Sequence, residues 1–189
     1  MPCGGWGSPI KKTLNHPRAD HAERMAFLCG IIRYRLLGKP IVYLDESGFA
    51  VDSPRTHGYA RRGKRCHSTK DWHAKGRLNA IGAIVGFALL TVCLFDCNID
   101  SDIFYAWLAD DLLPKAPSGS VIVMDNAAFH KRSDMIGIIE GAGHIVLFLP
   151  PYSPDLNPIE QKWAQVKAIR RRGNCSPHDL FSDQKYANL

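Results

Sequence analysis

Ile41-Val42-Tyr43-Leu44-Asp45 decides the fold: four apolar residues run without a break into an acid. A run this short, closed off in front by Gly38-Lys39-Pro40, predicts a buried strand, and the strand delivers Asp45 at its end. The pattern returns at Val121-Ile122-Val123-Met124-Asp125. His144 to Leu149 predicts a third such strand. Leu78 to Phe87 and Leu89 to Phe95 predict an antiparallel hairpin around Gly86.

Helices fall between these strands. From Ala19 to Leu37, the residues Met25, Leu28, Cys29, Ile32 and Leu36 recur at helical spacing. Ser101 is placed to cap a helix through Leu113, with Phe104, Trp107, Leu108 and Leu112 on one face and Pro114 as its stop. A helix from about Lys131 to Glu140 ends at Gly141 and Gly143. The last strong helix opens at Asn157-Pro158 and runs to Arg172. Gly48 to Lys75 reads as a polar, basic loop with one short strand near Gly58-Tyr59-Ala60, and Pro150 to Pro154 as a stiff loop. Alternating strands and helices in the second half predict parallel pairing there. The expected fold class is therefore α/β, a mixed sheet with helices on both faces. Residues 1–40 read as a linker and helix, 41–175 as the domain, and 176–189 as a tail.

At 189 residues the chain suffices for one domain with a full core. Its 46% hydrophobic and 22% charged residues are ordinary for a soluble protein. No apolar stretch is long enough to span a membrane, and the N-terminus lacks the pattern of a signal peptide, so the expectation is a cytoplasmic protein with no membrane partner. Six scattered cysteines form no pair of CxxC motifs, which argues for free thiols in a reducing compartment. Cys66-His67 with His73 is the one cluster with metal-ligand chemistry.

The net charge of +6 is unevenly placed. Arg61, Arg62, Lys64, Arg65, Lys70, Lys75 and Arg77 stand against one acid, Asp71, so this segment alone carries +6. A second basic group, Lys162, Lys167, Arg170, Arg171 and Arg172, lies near the C-terminus. A solvated surface explains a single charge run; two on a small domain favour a polyphosphate partner. Trp72 and Tyr59 are equally suited to stack on bases or to anchor a core.

Asp45 and Asp125 occupy matching positions, and on neighbouring parallel strands they would stand side by side. Two bare carboxylates that close repel, and one takes a proton unless a cation joins them. Each Asp also suits a simple turn cap. Glu160 supplies a third oxygen ligand, although Asn157-Pro158-Ile159-Glu160 equally fits a capping box. With Ile159, Trp163 and Val166 as the buried stripe of that helix, Glu160 lies at its rim, in line with Lys167 and Arg171.

Three segments together resemble the catalytic domain of mariner-type DDE transposases, and most closely their bacterial insertion-sequence relatives. They are Tyr43-Leu44-Asp45-Glu46-Ser47-Gly48-Phe49, Val123-Met124-Asp125-Asn126-Ala127-Ala128-Phe129-His130, and the run from Leu149-Pro150-Pro151-Tyr152-Ser153-Pro154 through Asp155-Leu156-Asn157-Pro158-Ile159-Glu160 to Trp163. Between Asp125 and Glu160 lie 34 residues, the spacing of this branch. The resemblance implies a ribonuclease H-like fold with a five-stranded mixed sheet flanked by helices. It implies that Asp45, Asp125 and Glu160 bind Mg2+, with Mn2+ as a substitute and two ions expected. Asn126 and His130 match the family pattern and would orient substrate or the metal shell, His130 having the alternative of serving the next helix start. The implied reaction is cleavage at transposon ends followed by strand transfer into target DNA, by a homodimer in the DNA complex, in a bacterial cytoplasm and at the nucleoid when bound to DNA. Arg61, Arg62, Lys64, Arg65, Lys70, Lys75, Arg77, Lys167 and Arg171 would contact DNA backbone. Full-length relatives carry helix-turn-helix domains before the catalytic domain, and nothing in this sequence resembles them. A catalytically silent fragment that binds DNA, or dimerises with and inhibits an intact enzyme, is the alternative.

Overall fold

The first apolar run does not stop at its acid. In the computed structural model, which describes residues 16–50, 60–65, 67, 76–126, 132–173 and 175–182, strand β1 spans Ile41–Ala50 and carries Asp45 in its middle. The expected loop from Gly48 therefore begins later. The reason is pairing: β2 (Arg77–Val85) runs antiparallel along β1 from Val42↔Val85 to Ala50↔Arg77, which satisfies the backbone of the polar half as well. β2 continues into β3 (Ala88–Phe95) through the turn at Gly86, whose φ of 62° suits a residue without a Cβ. The short strand expected near Gly58-Tyr59-Ala60 lies largely outside the described residues.

On its other side β1 pairs in parallel with β4 (Val121–Met124), and β4 with β5 (Ile145–Phe148). The order is β3-β2-β1-β4-β5. The β1–β4 ladder ends at Tyr43↔Val123, so Asp45 and the rest of β1 project beyond it. Alternation along the strands divides the core in two. Tyr43, Phe49, Ala80, Ile84, Val121 and Val123 face one side, where α1 (His21–Leu36), α5 (Ile159–Gly173) and α6 (Pro177–Ser182) pack. Val42, Leu44, Ile81, Ala83, Ile122 and Met124 face the other, covered by α2 (Ser101–Trp107) with its continuation and by α4 (Ser133–Gly141).

Several local expectations are corrected. In α1 the buried residues are Phe27 and Ile31, while Met25, Ile32 and Leu36 are 46%, 56% and 84% exposed. The helix has two apolar stripes, and the one bearing the aromatic ring meets the sheet. Asp100, not Ser101, caps α2, accepting from the amides of Asp102 and Ile103 at 3.0 and 2.9 Å. Pro114 does not stop this helix: it widens into a π turn at Leu108–Leu112 and ends in α3 (Leu113–Lys115), which contains the proline. α6, in the expected tail, buries Leu180 in the core and is capped reciprocally by Ser176 and Asp179.

Two contacts seat α5 on the sheet. The buried Asn157 donates its Nδ2 to the Leu44 carbonyl, 3.1 Å away, one residue before Asp45. The Trp163 indole lies on Gly82, where a Cβ would come within 2.7 Å of the ring, and Gly82 is the register partner of Asp45. Asn157→Ala should cost about 1–3 kcal/mol by orphaning the Leu44 carbonyl. Denaturant unfolding at unchanged slope checks this; a loss within measurement error would show that the bond seats nothing.

A carboxylate cleft as candidate active site

Asp45, held in mid-strand by the β1–β2 ladder, is partly buried. Its carboxyl is pushed up to about 7, first by burial, then by the charge of Glu160, with smaller contributions from Asp125 and Glu46; the Glu46 amide opposes the shift by donating to it. Asp125 follows the last residue of β4, and Glu160 is exposed in the first turn of α5. The fold thus brings the three expected acids into one electrostatic neighbourhood from a strand middle, a strand end and a helix start. Among the described residues no three acidic, histidine or cysteine side chains are gathered tightly enough to hold a metal ion as they stand.

The capping-box reading of Glu160 fails on geometry. The amide it would cap, Asn157 N–H, already donates to the Pro154 carbonyl at 2.9 Å. Asn157 performs a weak cap, its Oδ1 accepting from the Ile159 amide at 3.4 Å, while its Nδ2 serves β1. The loop before it is tied to α1 by a two-pronged pair, Arg24 to Asp155 at 2.9 and 2.6 Å, and to the segment before α1 by stacking of His16 on Tyr152 at 4.5 Å.

Asp125 lies between two clefts. One, of about 450 Å³, is lined by Asp45, Glu46, Ser47, Arg77, Asn79, Asn98, Ile99 and Asp125. The other, of about 350 Å³, is lined by Asp125, Asn126 and the loop from Leu149 to Pro154. Asn126 therefore stands beside the acids, and its Oδ1 is buried with no hydrogen-bond partner among the described residues. His130 lies outside the described residues, as do Lys70, Lys75, Tyr59 and Trp72.

The basic residues separate. Arg61, Arg62, Lys64 and Arg65 are exposed in a turn closed by the Lys64 amide on the Arg61 carbonyl at 2.9 Å. Arg77 starts β2 and lines the carboxylate cleft. Lys167 holds its ammonium 5.5 Å from the centre of the Phe49 ring, and Arg171 is exposed. Arg170, part of the second basic group in sequence, is buried and donates its Nε to the Cys175 carbonyl at 3.2 Å.

The sequence profile of the DDE superfamily endonucleases matches residues 40–179. The chain belongs to this family. The Mos1 transposase paired-end complex with left transposon end superposes on this DDE endonuclease chain with a TM-score of 0.64 at 17% identity, covering 90% of this chain and 53% of that one. The mariner Mos1 paired end complex with Mg gives 0.64 at 16%, covering 98% and 62%. The Mos1 transposase catalytic domain with Raltegravir and Mg gives 0.57 at 17%, covering 85% and 77%. The chain thus has the expected ribonuclease H-like fold, and it spans about half the length of the full transposase chain it matches. A search of curated proteins finds no significant match.

Sequence reasoning missed two parts of this candidate site. Asn157 read only as a cap, because a strand carbonyl 113 residues away in sequence leaves no local trace. Gly82, a lone glycine inside a strand pattern, was a signal of close approach that could have been used.

The raised Asp45 predicts a pH effect of definite sign. With a folded value near 7 against 3.8 for the free side chain, the folded state binds the extra proton between these limits. The stability contribution of Asp45 thus falls as pH rises from about 4 to 7, by at most about 4 kcal/mol at roughly 1.4 kcal/mol per unit, less where water reaches the group. In EDTA, Asp45→Asn should gain melting temperature over the parent at pH 8 and little at pH 4. A pH-independent difference would refute it.

Proposed function

We propose that this chain is the catalytic domain of a DDE transposase, cutting DNA at element ends and joining the freed 3′ ends to target DNA. The observation that supports the reading is that Glu160 and Asp125 both act electrostatically on the partly buried Asp45, which makes its charge costly where it stands. The donor set fits the divalent ions of such chemistry: magnesium takes hard oxygen ligands, one or two carboxylates among them. Asp45, Asp125 and Glu160 would hold two Mg2+, or Mn2+ in their place. Closing the set falls to Glu160, whose exposed side chain has three torsions to bring its carboxylate inward. Bound there, the ions would lower the pKa of the attacking water or hydroxyl and neutralise the departing oxygen of an in-line displacement.

The chain's own residues supply position. β1 and α5, locked through Asn157 and Leu44, fix where Asp45 and Glu160 stand. Asn126, with its buried Oδ1 beside Asp125, would orient substrate. The exposed Arg61, Arg62, Lys64, Arg65 and Arg171 would follow the DNA backbone. A homodimer on DNA and a reducing, cytoplasmic setting complete the reading; free Cys29, Cys93, Cys97 and Cys175 suit the latter.

One observation favours the rival reading, a silent DNA-binding fragment: the acids are not yet gathered. Nicking of supercoiled plasmid in Mn2+ separates the two. The proposal expects nicked circles from the parent and background levels from Asp45→Asn, Asp125→Asn and Glu160→Gln, together with joined products when a 3′-hydroxyl oligonucleotide is added. DNA binding without any nicking would establish the rival, and nicking that survives all three substitutions would place the chemistry elsewhere.

A further inference from the structure

The carboxylate cleft poses an electrostatic problem for any nucleic acid that enters it. Three of its lining residues, Asp45, Glu46 and Asp125, are acids, and a DNA phosphate approaching them is repelled. Among the described residues, the remaining polar lining is Ser47, Asn79, Asn98 and one cation, Arg77. Arg77 forms no ion pair with a described residue, unlike Arg24 and Arg132, which are tied to Asp155 and to Asp102 and Asp134.

Its position is built by the backbone. Arg77 pairs with Ala50 across the β1–β2 ladder, and Asn79 with Gly48. Arg77, Asn79, Gly48 and Glu46 thus share one sheet face, opposite the face of Asp45. The guanidinium lies on Gly48: a Cβ there would fall 1.8 Å from Arg77 Nε and 2.1 Å from Cζ and Nη2. With a side chain at position 48 the guanidinium would have to swing away from this seat. Asn79 donates to the Cys97 carbonyl at 2.8 Å, which holds the following Asn98 at the opposite wall.

We propose that Arg77, seated on Gly48, grips a DNA phosphate neighbouring the one that is cut, on the side of the cleft away from α5. The proposal rests on the transposase reading for the word "cut" but not for the phosphate. The planar fork of an arginine suits two oxygens of one phosphate, where a lysine is a point charge. The charge opposes the acids' repulsion of the strand. Gly48 is then a specificity of the backbone: it keeps the fork flat against β1 and directed into the cleft.

The test uses a fluorescent 30-base-pair duplex in EDTA, read by anisotropy across a salt series, with plasmid nicking in Mn2+ beside it. Arg77→Ala should lower the steepness of log affinity against log salt by about 0.9 and slow nicking about ten- to a hundredfold. Arg77→Lys should keep the salt slope and lose part of the nicking rate. Gly48→Ala should reproduce Arg77→Ala by displacing the guanidinium, and the double variant should be no worse than either. If Gly48→Ala impairs folding, seen as a lowered melting temperature, the comparison of Arg77→Ala with Arg77→Lys, at a strand end on the surface, decides alone. An Arg77→Ala protein with the parent's slope and nicking rate would overturn the proposal while leaving the transposase reading intact. An Arg77-dependent slope in a protein that never nicks would do the reverse. Additive losses from Gly48→Ala and Arg77→Ala would show that the glycine serves something else.

Discussion

The hydrogen bond from the Asn157 amide to the Leu44 carbonyl is the joint on which the site depends. It joins the first turn of a helix to the middle of the central strand, across more than half the chain. It ties the start of α5, which carries Glu160, to the strand that carries Asp45. The Trp163 indole reinforces the joint one turn along, lying where Gly82 has no side chain. Both partners sit next to Asp45, Leu44 before it in sequence and Gly82 opposite it in the ladder. Seating α5 and placing the acids are therefore the same structural act. The Arg24–Asp155 pair and the His16–Tyr152 stack hold the loop that leads into it.

That arrangement has an energetic cost, and the cost is informative. A partly buried Asp45 feels the charges of Glu160, Asp125 and Glu46, and its carboxyl is pushed up to about 7. A fold selected for stability alone would not collect acids there. Several other acids hold a cation or a hydroxyl: Asp111 holds Lys115 and the Thr91 hydroxyl, Asp134 and Asp102 hold Arg132, and Asp155 holds Arg24. Asp45, Glu46 and Asp125 lie together near the end of β4, where the parallel ladder has stopped and the cleft opens. An open end of parallel strands is where α/β sheets gather their functional groups.

Much of this was legible in the residues. Apolar runs at Ile41, Val121 and Ile145, with the hairpin at Gly86, yield all five strands, since strand burial is written in composition. Asp125 is read at its strand end for the same reason. Asp45 was misplaced to a strand end because its polar successors look like a loop, and only pairing with β2 makes them strand. In α1 periodicity identified the helix but chose the wrong face, since two apolar stripes compete and the sheet decides. Arg77 read as one of seven loop cations; register with Ala50 and the bare Gly48 place it in the cleft. Arg170 read as surface charge, and its bond to the Cys175 carbonyl buries it. Asn157, Gly82 and Arg77 were not legible because their partners are distant in sequence.

The most direct test of the account is the anomalous scattering of manganese in crystals of the protein soaked with Mn2+ at pH 8. The account predicts a peak bounded by Asp45 and Asp125, with the Glu160 carboxylate turned inward to meet it. No peak at saturating Mn2+, with Glu160 still turned to solvent, would contradict it.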